Sequence, residues 1–301
     1  MSERILLTGV TGQVGGELVR ALASMGEVVA PGRDELDLAD TTSVQKCVLT
    51  VRPRWIVNPG AYTAVDKAES EPDLAYAINV EAVRALGESA REVGAAMIHF
   101  STDYVFDGEG TAPYRETDAT GPVSVYGASK LAGELALAKT GAGYMIFRTS
   151  WVYGATGKNF LRTILKAARE RDRLRVVADQ HGAPTWSRDL ARMTAHVMGR
   201  VEDLAGEKGL AGAMKEFQGV YHAAGSGETT WHGFAVETIA KLRQREPETK
   251  LAEVDAIVTA EYPTPAKRPV NSRLNCERLA ERFGWRMMDW RDSLGEVMAE
   301  L

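Results

Sequence analysis

Apolar residues in the first half of the chain fall into short blocks separated by longer stretches of helical spacing. Arg4–Thr8, Glu27–Ala30, Trp55–Asn58, Ala96–Ser101 and Tyr144–Thr149 are apolar runs of strand length. Gly12–Met25, Ser43–Val51, Asp73–Val93 and Tyr126–Thr140 repeat their apolar positions with the helical period. Strands alternating with helices predict right-handed βαβ units, and hence an α/β fold on a Rossmann-like, doubly wound parallel sheet. The second half is less regular, with loops rich in Gly, Pro and Trp at Gln180–Ser187 and Glu261–Arg273. It reads as a smaller C-terminal α/β lobe. The division expected is 1–150 for the sheet domain and 151–301 mainly for the lobe, with some later segments returning to the sheet.

Composition narrows the classes. A length of 301 residues is enough for one large domain or two small ones with a full core. The net charge of −5, with no long basic run, argues against nucleic acid as a partner. Cys47 and Cys276 have no metal-ligand or redox spacing, which fits a reducing compartment. There is no signal-type leader and no apolar run of membrane-spanning length, so a cytoplasmic protein that does not insert in a membrane is expected.

The first strand runs into Thr8-Gly-Val-Thr-Gly-Gln-Val-Gly15, with glycines at 9, 12 and 15. Small residues there permit a tight turn, and the following helix presents its free N–H groups and positive dipole end to a pyrophosphate. Residues 1–150 are therefore read as an NAD(P)-binding domain. Near the end of the second strand, Arg33 suits the extra phosphate of NADP, so NADPH is the cofactor expected. Asp34 and Glu35 follow directly and keep NADH open. Asp37 and Leu38 fall near the adenine.

Three further segments converge at strand ends. Asn58–Thr63 closes the third strand, Ser101–Gly108 the fourth, and Tyr126 with Lys130 opens the next helix. Tyr-x-x-x-Lys places both side chains on one helix face. A tyrosine could protonate a developing alkoxide, with a nearby ammonium lowering its pKa and holding the nicotinamide ribose. The hydroxyl of Thr102 could orient the carbonyl oxygen. No metal is needed, and no His/Cys/Asp cluster has ligand spacing. His99 and His222, in apolar strands, read as core residues rather than bases. Trp151, just beyond Arg148-Thr-Ser, is a pocket candidate. Lys267, Arg268 and Arg273 form a basic loop that could be simply solvated or could pair with a diphosphate.

Several long runs in order make the chain resemble one family. They include Asn58–Glu69, Ser101–Gly108, Val125–Glu134, Arg148–Gly154, Asp179–Thr185 and Tyr262–Asn275. The chain resembles the dTDP-4-dehydrorhamnose reductase (RmlD) family of the extended short-chain dehydrogenase/reductase superfamily. That resemblance implies NAD(P)H-dependent reduction of the 4-keto group of dTDP-4-dehydro-β-L-rhamnose, catalysed by Thr102, Tyr126 and Lys130. It implies a cofactor lined by Gly12, Gln13, Val14, Asp37, Leu38, Ala61, Tyr62 and Thr63, and a dTDP-sugar contacted by Val65, Asp103, Tyr104 and Trp151. A homodimer is left open. The chain departs from the pattern at Asn58-Pro-Gly-Ala61, where relatives commonly carry Asn-Ala-Ala, and proline removes a backbone donor. It also carries Arg188 where some relatives place a glutamate ligand to an interfacial Mg²⁺, so no metal is carried over. A dehydratase would need a second acid after Asp103, where this chain has Tyr104. An epimerase, or a non-catalytic NADP-binding regulatory subunit, is the remaining alternative.

Overall fold

Each strand-length apolar run of the first half forms a strand in the computed structural model, which describes residues 4–301. In chain order they are β1 (Arg4–Leu7), α1 (Gln13–Ala21), β2 (Glu27–Val29), α2 (Thr41–Val51) and β3 (Trp55–Asn58). A short α3 (Val65–Ala68) precedes α4 (Pro72–Tyr76) and α5 (Ala82–Val93). Then come β4 (Ala96–Thr102), α6 (Val125–Lys139) and β5 (Gly143–Thr149).

The second half contributes β6 (Val152–Tyr153), α7 (Phe160–Glu170), β7 (Arg173–Val177), β8 (His181–Gly182), β9 (Thr185–Trp186) and α8 (Ser187–Phe217). These are followed by β10 (Gly219–His222), β11 (Thr229–Thr230), α9 (Trp231–Arg245), β12 (Glu253–Ile257), α10 (Glu277–Phe283) and α11 (Trp290–Glu300).

Six strands form the central sheet, in the order β10-β5-β4-β3-β1-β2, and every pairing in it is parallel. Successive residues of its strands are buried on opposite faces. Ile5, Leu7, Val57, Ile98 and Phe147 join a core with α1 and α8, while Leu6, Ile56, Met97 and Ile146 join another with α2 and α5. Because helices cover both faces, the strands read as continuous apolar runs rather than alternating ones. The lobe has its own core, built on Tyr153, Leu161, Trp186, Phe234, Trp290 and Leu294.

Two expectations change. The helix expected over Asp73–Val93 is interrupted by a π-helical turn at Ala77–Glu81. The wider turn places the buried Asn79 amide, which accepts from Tyr62 N (2.9 Å) and donates to Tyr62 O and the Ser129 hydroxyl. The second half is also more regular than its loops suggest. α8 is a helical stretch of 31 residues, broken only at Gly209, whose φ is 72°. From the second half, β10 pairs with β5 at one edge of the sheet, and α8 packs along α1.

Candidate active site

The chain leaves β1 for β2 on one side and crosses to β3 on the other, so the crevice of a parallel sheet opens at the carboxyl ends of β1 and β3. One cavity of about 530 Å³ lies there and extends to β4, α6 and the start of β6.

Its first wall is the glycine-rich turn. Gly9 has φ +58°, and a Cβ on it would fall 2.6 Å from Gly60 Cα. A Cβ on Gly15 would fall 2.1 Å from Gly9 O, so the turn folds only with glycine at both positions. No side chain caps the N terminus of α1, which leaves its first N–H groups to the cavity. These features fit the pyrophosphate of a dinucleotide. Gly12 and Val14 line the wall as expected. Gln13 also reaches across to the lobe, donating to Thr156 O at 2.7 Å.

Beyond β2, Arg33, Asp37 and Leu38 line the cavity, whereas Asp34 and Glu35 do not. Glu35 instead turns back to accept from Gly32 N. After β3, Ala61, Thr63 and Val65 line it. Tyr62 does not, because its hydroxyl donates to Glu71 at 2.7 Å and its ring packs beside Tyr126.

Thr102, Asp103, Tyr104, Tyr126, Lys130 and Trp151 all meet at the far wall. The Thr102 hydroxyl accepts from Tyr104 N (3.2 Å) and donates to Asp103 Oδ1 (3.1 Å). Ser124 caps the start of α6, its hydroxyl accepting from Gly127 N. A Cβ on Gly127 would fall 2.2 Å from Tyr104 O, so this glycine lets the helix bring Tyr126 against Thr102–Val105. Tyr104 and Tyr126 pack edge to face, their centroids 5.4 Å apart. Trp151 takes the left-handed backbone (φ 48°) and stacks on Trp231 at 3.7 Å. A non-glycine residue held there is the kind of local strain that functional sites carry.

Burial governs the electrostatics. It pushes the Tyr126 phenol well above its ordinary value, and the Thr102 hydroxyl only partly opposes it. The expected lowering of that pKa by Lys130 is therefore corrected. Lys130 Nζ donates to Phe100 O (2.7 Å) and lies 3.2 Å from His99 Nε2, and burial pulls its own pKa down to about 8. The Asp103 carboxyl is raised to about 6 by burial, against the hydroxyls of Ser272 and Thr102. Its Oδ2 has no hydrogen-bond partner, so it can accept from a ligand.

The basic loop divides. Arg268 pairs with Asp66 (2.6 Å) and leaves Nη1 without a partner. Arg273 commits its three guanidinium nitrogens to Asn271, Glu228 and Thr111 O. Neither lines the cavity. Arg188 pairs with Glu17 and Glu300 and stacks on Trp186. The sequence reading missed Lys158 as a lining residue and the contact that the buried His99 makes. Lys158 lines the cavity from the loop that Gln13 holds; its only signal was a cation between Gly157 and Asn159 just beyond a strand end. His99 touches Lys130, which no spacing along the chain reveals.

A parallel sheet with a glycine-rich first turn, and a Tyr-x-x-x-Lys helix facing the same cavity, defines an oxidoreductase of the extended short-chain dehydrogenase/reductase type. The family described as RmlD substrate binding domain matches residues 3–301. A dTDP-4-dehydrorhamnose reductase of Burkholderia thailandensis is 48% identical over 99% of both chains. One from Escherichia coli K12 is 46% identical over 99% of this chain and 97% of its own. The crystal structure of dTDP-4-dehydrorhamnose reductase from Bacillus anthracis in complex with NADP superposes with a TM-score of 0.88, at 33% identity and full coverage of both. The chain belongs to the RmlD family of dTDP-4-dehydrorhamnose reductases.

Proposed function

We propose that this protein reduces the 4-keto group of dTDP-4-dehydro-β-L-rhamnose to give dTDP-L-rhamnose, with NADPH as the preferred reductant. The observation that carries the proposal is the single cavity that joins the glycine-rich turn to Thr102, Tyr126, Lys130 and Trp151. The relatives named for this reaction, and the one bound to NADP, support it.

Residues 1–150 hold the dinucleotide, and 151–301 mainly form the lobe that closes on the sugar nucleotide. Gly9, Gly12, Val14 and the α1 N terminus take the pyrophosphate, with Arg33 on the 2′-phosphate. Asp37, Leu38, Ala61 and Thr63 flank the adenosine half. When bound, NADPH supplies a hydride to the carbonyl carbon. Tyr126 gives its proton to the oxygen that becomes the 4-hydroxyl. A phenol held up by burial is protonated at working pH, which suits a donor. Thr102 orients that oxygen, and Lys130 holds the nicotinamide ribose. Asp103 Oδ2 accepts from a sugar hydroxyl, while Val65, Tyr104 and Trp151 enclose the deoxysugar. Arg268 is the diphosphate contact, and Arg273 is set aside. Every residue named comes from one chain, and two unpaired cysteines suit the cytoplasm.

The test is NADPH oxidation by purified protein given the keto sugar nucleotide, with the product identified by NMR. One NADPH consumed per dTDP-L-rhamnose formed supports the reading. Conversion without net consumption would make the protein an epimerase, and binding of NADP(H) with no conversion would make it a regulatory subunit.

A further inference from the structure

We propose that Lys158 is a further cofactor-binding residue, its cation set against the pyrophosphate of the dinucleotide from the lobe side, facing the N terminus of α1. The identity of its ligand rests on the function proposed above; the placement of the lysine does not. Among the described residues, the positively charged side chains that line the cavity are Arg33, Lys130 and Lys158. Lys130 lies at the far wall, donating to Phe100 O at 2.7 Å. Arg33 lies beyond β2, on the adenosine side. Lys158 lies beyond β6, in the loop that reaches the first turn of α1. It is exposed, and its Nζ has no hydrogen-bond or ion-pair partner among the described residues. An anion at the α1 N terminus meets the equivalent of about half a positive charge from the helix. A pyrophosphate carries a negative charge on each phosphate, so much of its charge is left for a cationic side chain.

The loop is built to hold the lysine there. Gln13, the first residue of α1, donates through Nε2 to Thr156 O at 2.7 Å and accepts through Oε1 from Asn159 Nδ2 at 3.2 Å. Lys158 is thus bracketed by two contacts to the residue that opens the helix. Asn159 Nδ2 also donates to Gly154 O (2.9 Å) and Thr156 O (3.1 Å), and its Oδ1 accepts from Arg162 N, capping α7. One side chain therefore closes the loop, joins it to Gln13 and starts the first helix of the lobe. Gly157 takes the left-handed backbone (φ +69°) and lies against Gln13 Nε2, which a Cβ there would meet at 2.3 Å. Glycine lets the backbone beside Lys158 approach α1 that closely. Because folding has already ordered this backbone, pairing with an anion restricts little more than the lysine side chain. The pyrophosphate is common to NADPH and NADH, so Lys158 contributes to the affinity for both, whereas Arg33 separates them.

Fluorescence titration of the full-length protein with NADPH and with NADH, in the absence of the sugar nucleotide, tests this. Lys158→Met keeps the apolar stem and removes the charge. It should raise Kd for both nucleotides by the same factor, on the order of tenfold at low salt. The gap from wild type should narrow as added salt screens the charge. Lys158→Arg should restore most of the affinity. Asn159→Ser keeps a capping hydroxyl but loses the donations that hold the loop. It should weaken both nucleotides as well, and Lys158→Met in that background should add little; strictly additive losses would contradict the hold on the lysine. Unchanged Kd for both nucleotides in Lys158→Met would overturn the proposal. So would a rise for NADPH alone, which moves the lysine to the 2′-phosphate. Unchanged cofactor binding with a raised KM for the keto sugar nucleotide would overturn it too, moving the lysine to the substrate diphosphate. If Asn159→Ser does not fold, Lys158→Met and Lys158→Arg decide, because the side chain they change is exposed. Wild-type protein that binds neither nucleotide would overturn the cofactor reading itself, whereas wild-type binding with an unchanged variant would overturn the Lys158 contact alone.

Discussion

Burial disfavours the charged form of each ionisable group at the far wall of the cavity: it lowers Lys130 and raises Asp103 and Tyr126. For Asp103 this has a cost that can be measured. Its folded pKa of about 6 lies above the ordinary 3.8, so the folded state binds the proton more tightly. Its contribution to stability is fully present below about pH 4 and is lost as pH rises through about 6. Asp103→Asn should therefore stabilise the fold at neutral pH by about 1–3 kcal/mol while lowering activity. Denaturant unfolding of both proteins at acidic and neutral pH checks this; an equal difference at the two pH values contradicts it. Tyr126→Phe should lower kcat by about 100-fold or more with cofactor affinity retained. Near-normal turnover would remove Tyr126 as proton donor. Arg33 lines the cavity where Asp34 and Glu35 do not, so Arg33→Asp should shift the ratio of kcat/KM for NADPH over NADH towards NADH. Most residues of the cavity were readable, because strand ends and a helix start mark them along the chain. Tyr62 and Arg273 were misplaced, because the neighbours that occupy them, Glu71 and Glu228, lie off the motif.

At the scale of elements, α6 carries Tyr126 and Lys130, and its seat is fixed by a buried ion pair. Glu134 accepts from Arg148 on β5 (2.6 Å) and from the Ser101 hydroxyl on β4 (2.5 Å), next to Thr102. Both charged side chains are about 5% exposed, so losing one strands the other without water. Arg148→Leu should cost about 3–5 kcal/mol, and the double change Arg148→Leu with Glu134→Leu should recover a good part of it. A double-mutant cycle by chemical denaturation with strictly additive losses would show the pair to be uncoupled. The strands of the first half were legible because both sheet faces are covered and the runs are apolar throughout. The π-helical turn was not, because the buried Asn79 within it bonds to Tyr62 and Ser129, which lie far along the chain. In α8 the buried Leu190, Met193, Val197 and Val201 keep helical spacing, a signal obscured by interleaved alanine, glycine and methionine.

At the scale of the molecule, the cavity is lined mainly by the sheet domain and reaches the lobe at Trp151, Val152 and Lys158. Gln13 links them, because it belongs to the glycine-rich turn and yet holds Thr156 of the lobe loop. The change from apolar blocks to Gly-, Pro- and Trp-rich loops is the signal behind the proposed division into sheet domain and lobe. The return of β10 to the sheet edge was foreseen only as an unplaced segment, since parallel pairing with β5 is decided by contacts far apart in the chain. The account as a whole claims that this cavity delivers a hydride to one carbon of a keto sugar, and deuterium traces that directly. The protein would be given NADPH deuterated at the transferable position of its nicotinamide, together with dTDP-4-dehydro-β-L-rhamnose, and the product read by NMR. Deuterium at C4 of dTDP-L-rhamnose, one atom per cofactor oxidised, is the result predicted. Product without deuterium at C4, or deuterium at C3 or C5, would contradict it.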